Sequence, residues 1–266
     1  MTDSLLAHLG LRAAPSPDVE GLYEVHRAYL ERVPYEALAV QLGETGPLDS
    51  ETLTARVVSG RGGYCFELNT VLGALLRSIG FEVTHHQAVV GGEGPTNHMV
   101  LLVLIDGETW IADAGLGEGF LDPLPLREGS YEIGPFTWSL TSESAGTWWL
   151  THHEWGSFSG FRMSPDASPV VDFEPHHRRL ATDPASSFVQ TLVVQKPMAD
   201  RLVTLRARTL SSVGPSVVAK QVVANVGEFA STLSSAFGIS VSRDRLDRLW
   251  DQACAQHEAF LARQAA

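Results

Sequence analysis

Apolar positions in the first 80 residues recur at helical spacing. Within 18–32, Leu22, Val25, His26, Tyr29 and Leu30 share one face with Val33 just beyond, and Pro34 stops the segment. Ser50-Glu51-Thr52-Leu53 opens a second amphipathic stretch that ends near Gly60. A third, 66–79, carries Leu68, Val71, Leu72, Leu75 and Leu76 as an apolar stripe, with Gly80 just past its end. From Phe81 the period shortens to two. Residues 82–90, 97–105 and 109–114 pattern as strands, and Asp106-Gly107 between the last two signals a hairpin. Further short strands are expected at 132–141, 147–152 and 157–164, a succession that suits a small antiparallel barrel or sandwich. Past Asp172 the pattern mixes: a helical turn at 176–181, strands at 188–195 and 202–210, and helices at 228–237 and 243–263. With no repeat, low-complexity tract or long linker, these textures are expected to pack into one body.

Composition narrows the function. Hydrophobic residues make up 44% of the 266 and charged residues 19%, enough for a sizeable core. The net charge of −12 repels phosphate backbones, so neither nucleic acid nor an anionic membrane is the expected partner. The two lysines, Lys196 and Lys220, lie outside any Gly-rich loop, and no phosphate-binding G-x-x-x-x-G-K motif is present. The N-terminus has no basic stretch followed by an apolar core, and the longest apolar run, 99–105, is far short of the roughly 20 residues a membrane span needs. A cytoplasmic location is therefore expected, with Cys65 and Cys254 as thiols rather than a disulfide.

Cys65 stands in the most informative stretch, Gly60-Arg61-Gly62-Gly63-Tyr64-Cys65-Phe66-Glu67-Leu68-Asn69. A Gly-rich turn runs straight into a helix there. Free amides and the helix dipole favour negative charge at such a start and are expected to lower the thiol pKa. A thiol nucleophile needs a base, and the base needs an orienter. His98 opens one strand of the hairpin and Asp113 closes the other, so the two are expected nearly opposite, with Cβ atoms about 5 Å apart. Cys254 has neither glycines nor a base nearby and is expected to be a packed or surface thiol. The pairs His85-His86, His152-His153 and His176-His177 come without a zinc-type spacing. The first two should point to opposite strand faces, so no metal site is expected. Gly115-x-Gly117-x-Gly119 does not have the spacing of a dinucleotide fingerprint.

Arg61-Gly62-Gly63-Tyr64-Cys65-Phe66-Glu67-Leu68-Asn69, His98-Met99-Val100-Leu101-Leu102-Val103 and Asp113-Ala114-Gly115-Leu116-Gly117 together resemble the arylamine N-acetyltransferases of bacterial type. Val33-Pro34-Tyr35-Glu36 resembles that family's Pro-Phe-Glu-Asn-Leu segment. Asp172-Phe173, Ala181-Thr182-Asp183-Pro184 and Ser187-Phe188-Val189-Gln190 match a later one. The resemblance spans nearly the whole chain and is weakest after about Ser211. It implies an α+β fold in three parts, with a catalytic core like that of transglutaminases and cysteine proteases. These are a helical bundle over 1–82, a β-barrel over 83–190 and an α/β lid over 191–266. It further implies Cys65 as nucleophile, His98 as base and Asp113 as orienter. Acetyl would pass in ping-pong fashion from acetyl-CoA, a co-substrate rather than a tightly bound cofactor, to an arylamine or hydrazine. The Cys65 N–H is the implied oxyanion donor, and Gly115 and Gly117 match a turn near the CoA pyrophosphate. An ion pair between Arg61 and Glu36 is expected to buttress the cysteine loop.

Four positions depart from the family pattern. Leu116 replaces an aromatic residue, His8 an arginine, Ala37 an asparagine and Asn97 a threonine. Leu116 and Ala37 would both reshape the acceptor pocket. That keeps a second chemistry open: an amide synthase of the same fold, joining an acyl chain from a carrier protein to an amine. A cysteine hydrolase and a non-catalytic aromatic-binding protein are further rivals, and the latter is argued against by the presence of all three residues of the Cys-His-Asp set.

Overall fold

A computed structural model describes residues 2–265. The N-terminal part begins with α1 (Thr2–His8) and α2 (Val19–Arg32). Asp18 caps α2 by accepting the Gly21 N–H at 2.8 Å, and Val33, forced extended by the proline after it, ends it. β1 (Tyr35–Glu36) and α3 (Leu38–Leu42) follow. Next comes α4 (Ser50–Val58), capped by Asp49, whose carboxylate accepts the Thr52 N–H at 2.8 Å. α5 (Cys65–Ile79) stops where Gly80 turns left-handed at φ 116°. Eleven of its residues, from Cys65 to Leu76, are buried, so it is a central helix rather than the one-sided helix its apolar stripe suggests.

The middle of the chain forms an eight-stranded antiparallel sheet that curls into a nearly closed barrel. Its strands are β2 (Glu82–Val90), β3 (His98–Ile105), β4 (Glu108–Ala112), β5 (Leu124–Pro125), β6 (Gly129–Ile133), β7 (Phe136–Ser142), β8 (Trp148–Thr151) and β9 (Gly160–Ala167). Their order is β5-β4-β3-β2-β9-β8-β7-β6. The continuous apolar run of β3 has a direct cause. Met99, Leu101, Val103 and Ile105 pack against the helices, while Val100 packs into the barrel with Phe120, Trp138 and Phe161. A strand buried on both faces loses its polar alternation. The single strand expected at 132–141 is instead a hairpin, because Gly134 at φ 58° turns the chain between β6 and β7.

The C-terminal part mixes helices and strands. α6 (Glu174–Thr182) and the one-turn α7 (Ser187–Gln190) precede β10 (Val193–Pro197), β11 (Leu202–Arg206), β12 (Thr209–Gly214) and β13 (Val217–Val222). α8 (Val226–Phe237) and α9 (Arg243–Ala265) then cover the sheet, burying Phe229, Leu233, Phe237 and Leu249 on Leu192, Val194 and Leu205. The expected strand at 188–195 is thus half helix, and that at 202–210 is cut by a turn at Ala207. The sheet order is β1-β10-β11-β12-β13, so Tyr35 and Glu36 of the N-terminal part are its edge strand, paired with Gln195 and Val194. Among the described residues no helix is long and apolar enough to cross a membrane.

Candidate active site

Two buried carboxylates hold the loop that delivers Cys65. Glu36 is fully buried on β1. One of its oxygens accepts from Arg61 Nε at 2.9 Å and lies 2.8 Å from Nη2 in the ion pair, and the other accepts from the Leu38 N–H at 2.6 Å. The Arg61–Glu36 pair therefore forms as expected. Glu67, one turn into α5, accepts from Arg56 Nη1 at 2.8 Å and reaches back to the Tyr64 N–H at 3.1 Å. The Glu36 N–H also donates to Gly63 O at 2.7 Å, tying loop to strand. Cys65 is thereby fixed in the first turn of α5, where backbone amides have no intrahelical partner.

His98 and Asp113 meet across the β3–β4 hairpin. His98 Nε2 donates to Asp113 Oδ2 at 2.7 Å, and both side chains are buried. The register differs from direct opposition: Leu101 faces Ala112, so Asp113 continues opposite Val100 and reaches His98 on the diagonal. Because a carboxylate only accepts, Nε2 carries the proton and Nδ1 is the basic nitrogen of the neutral ring. The other carboxylate oxygen accepts from the Gly115 N–H and from Asn69 Nδ2, both at 2.8 Å. Asn69 also donates to Met99 O at 2.6 Å and accepts the Ala114 N–H at 2.9 Å. It lies four residues after Cys65 on the same helix, hence on the same face. That spacing is the signal by which sequence reasoning could have singled it out.

Cys65 and His98 line one cleft of about 270 Å³. Val90, Asn97, Leu116 and Phe158 continue its wall from the barrel, and Tyr35, Phe188, Gln195 and Arg206 close it from the C-terminal sheet and its neighbours. Those last four carried no functional reading in the sequence. Of the four departures, Leu116 and Asn97 line the cleft, and the Cys65 thiol lies 3.4 Å from the Asn97 carbonyl. Ala37 is buried and does not itself line the cleft. Gly115 lines the cleft, and a Cβ on it would come within 2.7 Å of Cys65 Cα, so packing against the cysteine already requires glycine. Gly117 is left-handed at φ 69° and lies under Tyr35 and Gln195. Thr191 and Arg206 also line a second cleft of about 300 Å³ that holds Lys220, His257 and Arg263. Among the described residues Arg206, Lys220 and Arg263 form no ion pair.

Burial pushes the Cys65 thiol well up, and the Asp113 carboxylate adds to it; the Phe66 and Met99 amides pull the other way and do not win. The expected lowering by the helix start is thus overridden by desolvation. None of the paired histidines lines the cleft, although His177 bonds the Tyr64 hydroxyl next to Cys65. His85 accepts from Arg77 at 3.1 Å, while His86 bonds Ser164 O at 3.0 Å. β8 ends at Thr151, so His152 and His153 escape strand alternation and their rings lie 4.2 Å apart beside Trp138. Among the described residues no three metal-ligating side chains gather. Cys254 is half-buried on α9 and unpaired.

A cysteine that opens a buried helix, sharing a cleft with an imidazole–carboxylate pair on a barrel, belongs to the papain-like class of folds. A model of the N-acetyltransferase family matches residues 18–246. With most of its length matched, the chain belongs to the arylamine N-acetyltransferase family. It is 30% identical over 205 residues to arylamine N-acetyltransferase 1 of Bos taurus, covering 64% of this chain and 68% of the relative. The arylamine N-acetyltransferase of Mycobacterium abscessus superposes with a TM-score of 0.87 at 26% identity, over 96% of this chain and 95% of the other. That of Mycobacterium marinum, solved in complex with CoA, gives 0.86 at 24% identity over 95% and 98%.

Proposed function

We propose that this protein is an arylamine N-acetyltransferase that works by ping-pong transfer through Cys65. The observation that carries the reading is the single cleft shared by Cys65 and His98, with Asp113 fixing the imidazole from behind. The Cys65 proton passes to His98 Nδ1, and Sγ attacks the thioester carbonyl of acetyl-CoA. The new C–S bond forms, the old one breaks, and the CoA thiolate leaves with the proton from His98. An arylamine or hydrazine then attacks the acetyl-cysteine, His98 takes its proton as the amide forms, and Cys65 is released. The Cys65 N–H, without an intrahelical partner, is the proposed oxyanion donor.

Gly115 is the proposed bare-backbone contact at the thioester end of the donor, with Gly117 beyond it. The negative phosphates of CoA fit the adjoining cleft, where Arg206, Lys220 and Arg263 concentrate positive charge on a chain of net charge −12. The division at 1–82, 83–190 and 191–266 then separates the roles. The first part brings the nucleophile, the second the imidazole and carboxylate, and the third the cleft wall at Gln195 and Arg206.

Intact mass after mixing with acetyl-CoA, without acceptor, tests the reading. The expected result is one acetyl adduct, absent in Cys65→Ala and discharged by an arylamine. No adduct on a folded protein whose Cys65 still alkylates, with an adduct from a carrier-bound acyl thioester, would replace the acetyltransferase by the amide synthase.

A further inference from the structure

A second imidazole lies behind Asp113. His26, on the inner face of α2, is fully buried. The Asp113 N–H donates to its Nε2 at 3.1 Å, and its Nδ1 lies 2.9 Å from the Leu121 carbonyl. These two partners dictate one protonation state. A carbonyl only accepts, so Nδ1 carries a hydrogen; an N–H only donates, so Nε2 is bare. The ring is therefore neutral and fixed as one tautomer. Burial favours that state, against the pull of the Leu121 carbonyl and the Asp113 and Asp122 carboxylates. Phe120 stacks on the ring at 6.0 Å, with the planes 11° apart.

The position explains the need. The last ladder pair of β3 and β4 is Leu101 with Ala112, so sheet pairing stops one residue before Asp113. The Asp113 N–H has left the ladder, and its acceptor is His26. Beyond Asp113 the chain folds back onto α2, where His26 holds Leu121 and the neighbouring Arg27 pairs with Asp122. α2 thus clamps both ends of the segment that carries the carboxylate.

We propose that His26 is a positioning residue: as a neutral, Nδ1-protonated imidazole it holds the Asp113 backbone where the carboxylate meets His98. This rests on reading Asp113 as the orienter of His98. An apolar core residue would fill the space but leave the Asp113 N–H buried without an acceptor.

Two substitutions split the bonds. In His26→Gln the side-chain oxygen reaches the Nε2 position and still accepts from Asp113. In His26→Asn the amide reaches the Nδ1 position and serves only Leu121. The readouts are acetyl-transfer rate, the pH profile of Cys65 alkylation by iodoacetamide, and thermal stability. His26→Asn should slow transfer about tenfold and move the alkylation profile to higher pH, while His26→Gln keeps both near wild type. Equal losses in the two variants, tracking stability with an unshifted alkylation profile, would reduce His26 to a packing residue and overturn the proposal. Should neither variant fold, nitrogen-15 NMR of histidine-labelled wild-type protein decides: a cationic His26, or the opposite tautomer, at neutral pH overturns it. Asp113→Asn separates the two levels. If it changes transfer and alkylation while His26→Asn does not, only the positioning role fails. If Asp113→Asn changes neither, the underlying triad reading fails and the positioning role with it.

Discussion

At the Cys65 thiol two effects compete, and burial wins. Amides of the first helical turn stabilise a thiolate, but a thiol that is almost wholly buried and near a carboxylate holds its proton. In the proposed mechanism, proton transfer to His98, which lines the same cleft, creates an imidazolium whose charge offsets the Asp113 repulsion. A sign follows for the alkylation rate. Wild type should react already near neutral pH, as an ion pair. His98→Gln should react only well above the free-thiol range of about pH 8.5, because burial and the carboxylate then outweigh the Phe66 and Met99 amides. Identical pH profiles for the two proteins would refute the ion pair. Cys65, His98 and Asp113 were legible because short-range signals mark them: glycines before a helix start and a hairpin turn. His26 was not, for it patterned as one more member of an apolar face, and its partner is a backbone N–H 87 residues away.

Elements with their own stop signals were legible at their ends. Pro34 and Gly80 mark the ends of α2 and α5, and 82–90 is β2 to the residue. The elements that tertiary pairing creates were not. Two-residue β1 and five-residue α3 are too short to show a period, and β13 follows a turn in a stretch of mostly exposed side chains. β1 matters most, because it brings Glu36 into the core as the shared acceptor for Arg61, Leu38 and Gly62. Glu36→Gln would place an amide N–H₂ against a guanidinium that is mostly buried, leaving its charge without a counterion. Breaking such a pair costs about 3 kcal/mol or more. Urea unfolding should show that loss as a lower midpoint with an unchanged slope, and Cys65 should become more accessible to bulky thiol reagents. A midpoint within error of wild type would mean that Glu67, Arg56 and the Glu36–Gly63 backbone bond suffice to hold the loop.

For the whole molecule, the three textures along the chain forecast the helical, barrel and mixed α/β parts. They could not forecast that the third part borrows a strand from the first and closes the cleft, because that depends on pairing across some 160 residues of chain, as between Tyr35 and Gln195. Another whole-molecule property comes from the histidines, seven of which are buried: His26, His85, His86, His98, His152, His153 and His177. Burial, with Arg77 and His86 adding to it, pushes His85 down to about 4, and burial with His152 pushes His153 down to about 3. His26, His86 and His152 are lowered as well, burial being the main cause in each. In the unfolded chain these five rings (His26, His85, His86, His152 and His153) take a proton below about pH 6.5, while in the folded protein each stays neutral to a lower pH. The unfolded state therefore binds more protons across that window, and stability falls as pH drops from about 6.5 toward 4. Most carboxylates remain ionised between about pH 6.5 and 5, so the slope there belongs to the histidines. Thermal melts should show Tm declining over this upper range, and His85→Gln should flatten the decline. A Tm constant from pH 7 to 5 would mean that the buried rings take up protons within the folded state, as water entering the barrel would allow.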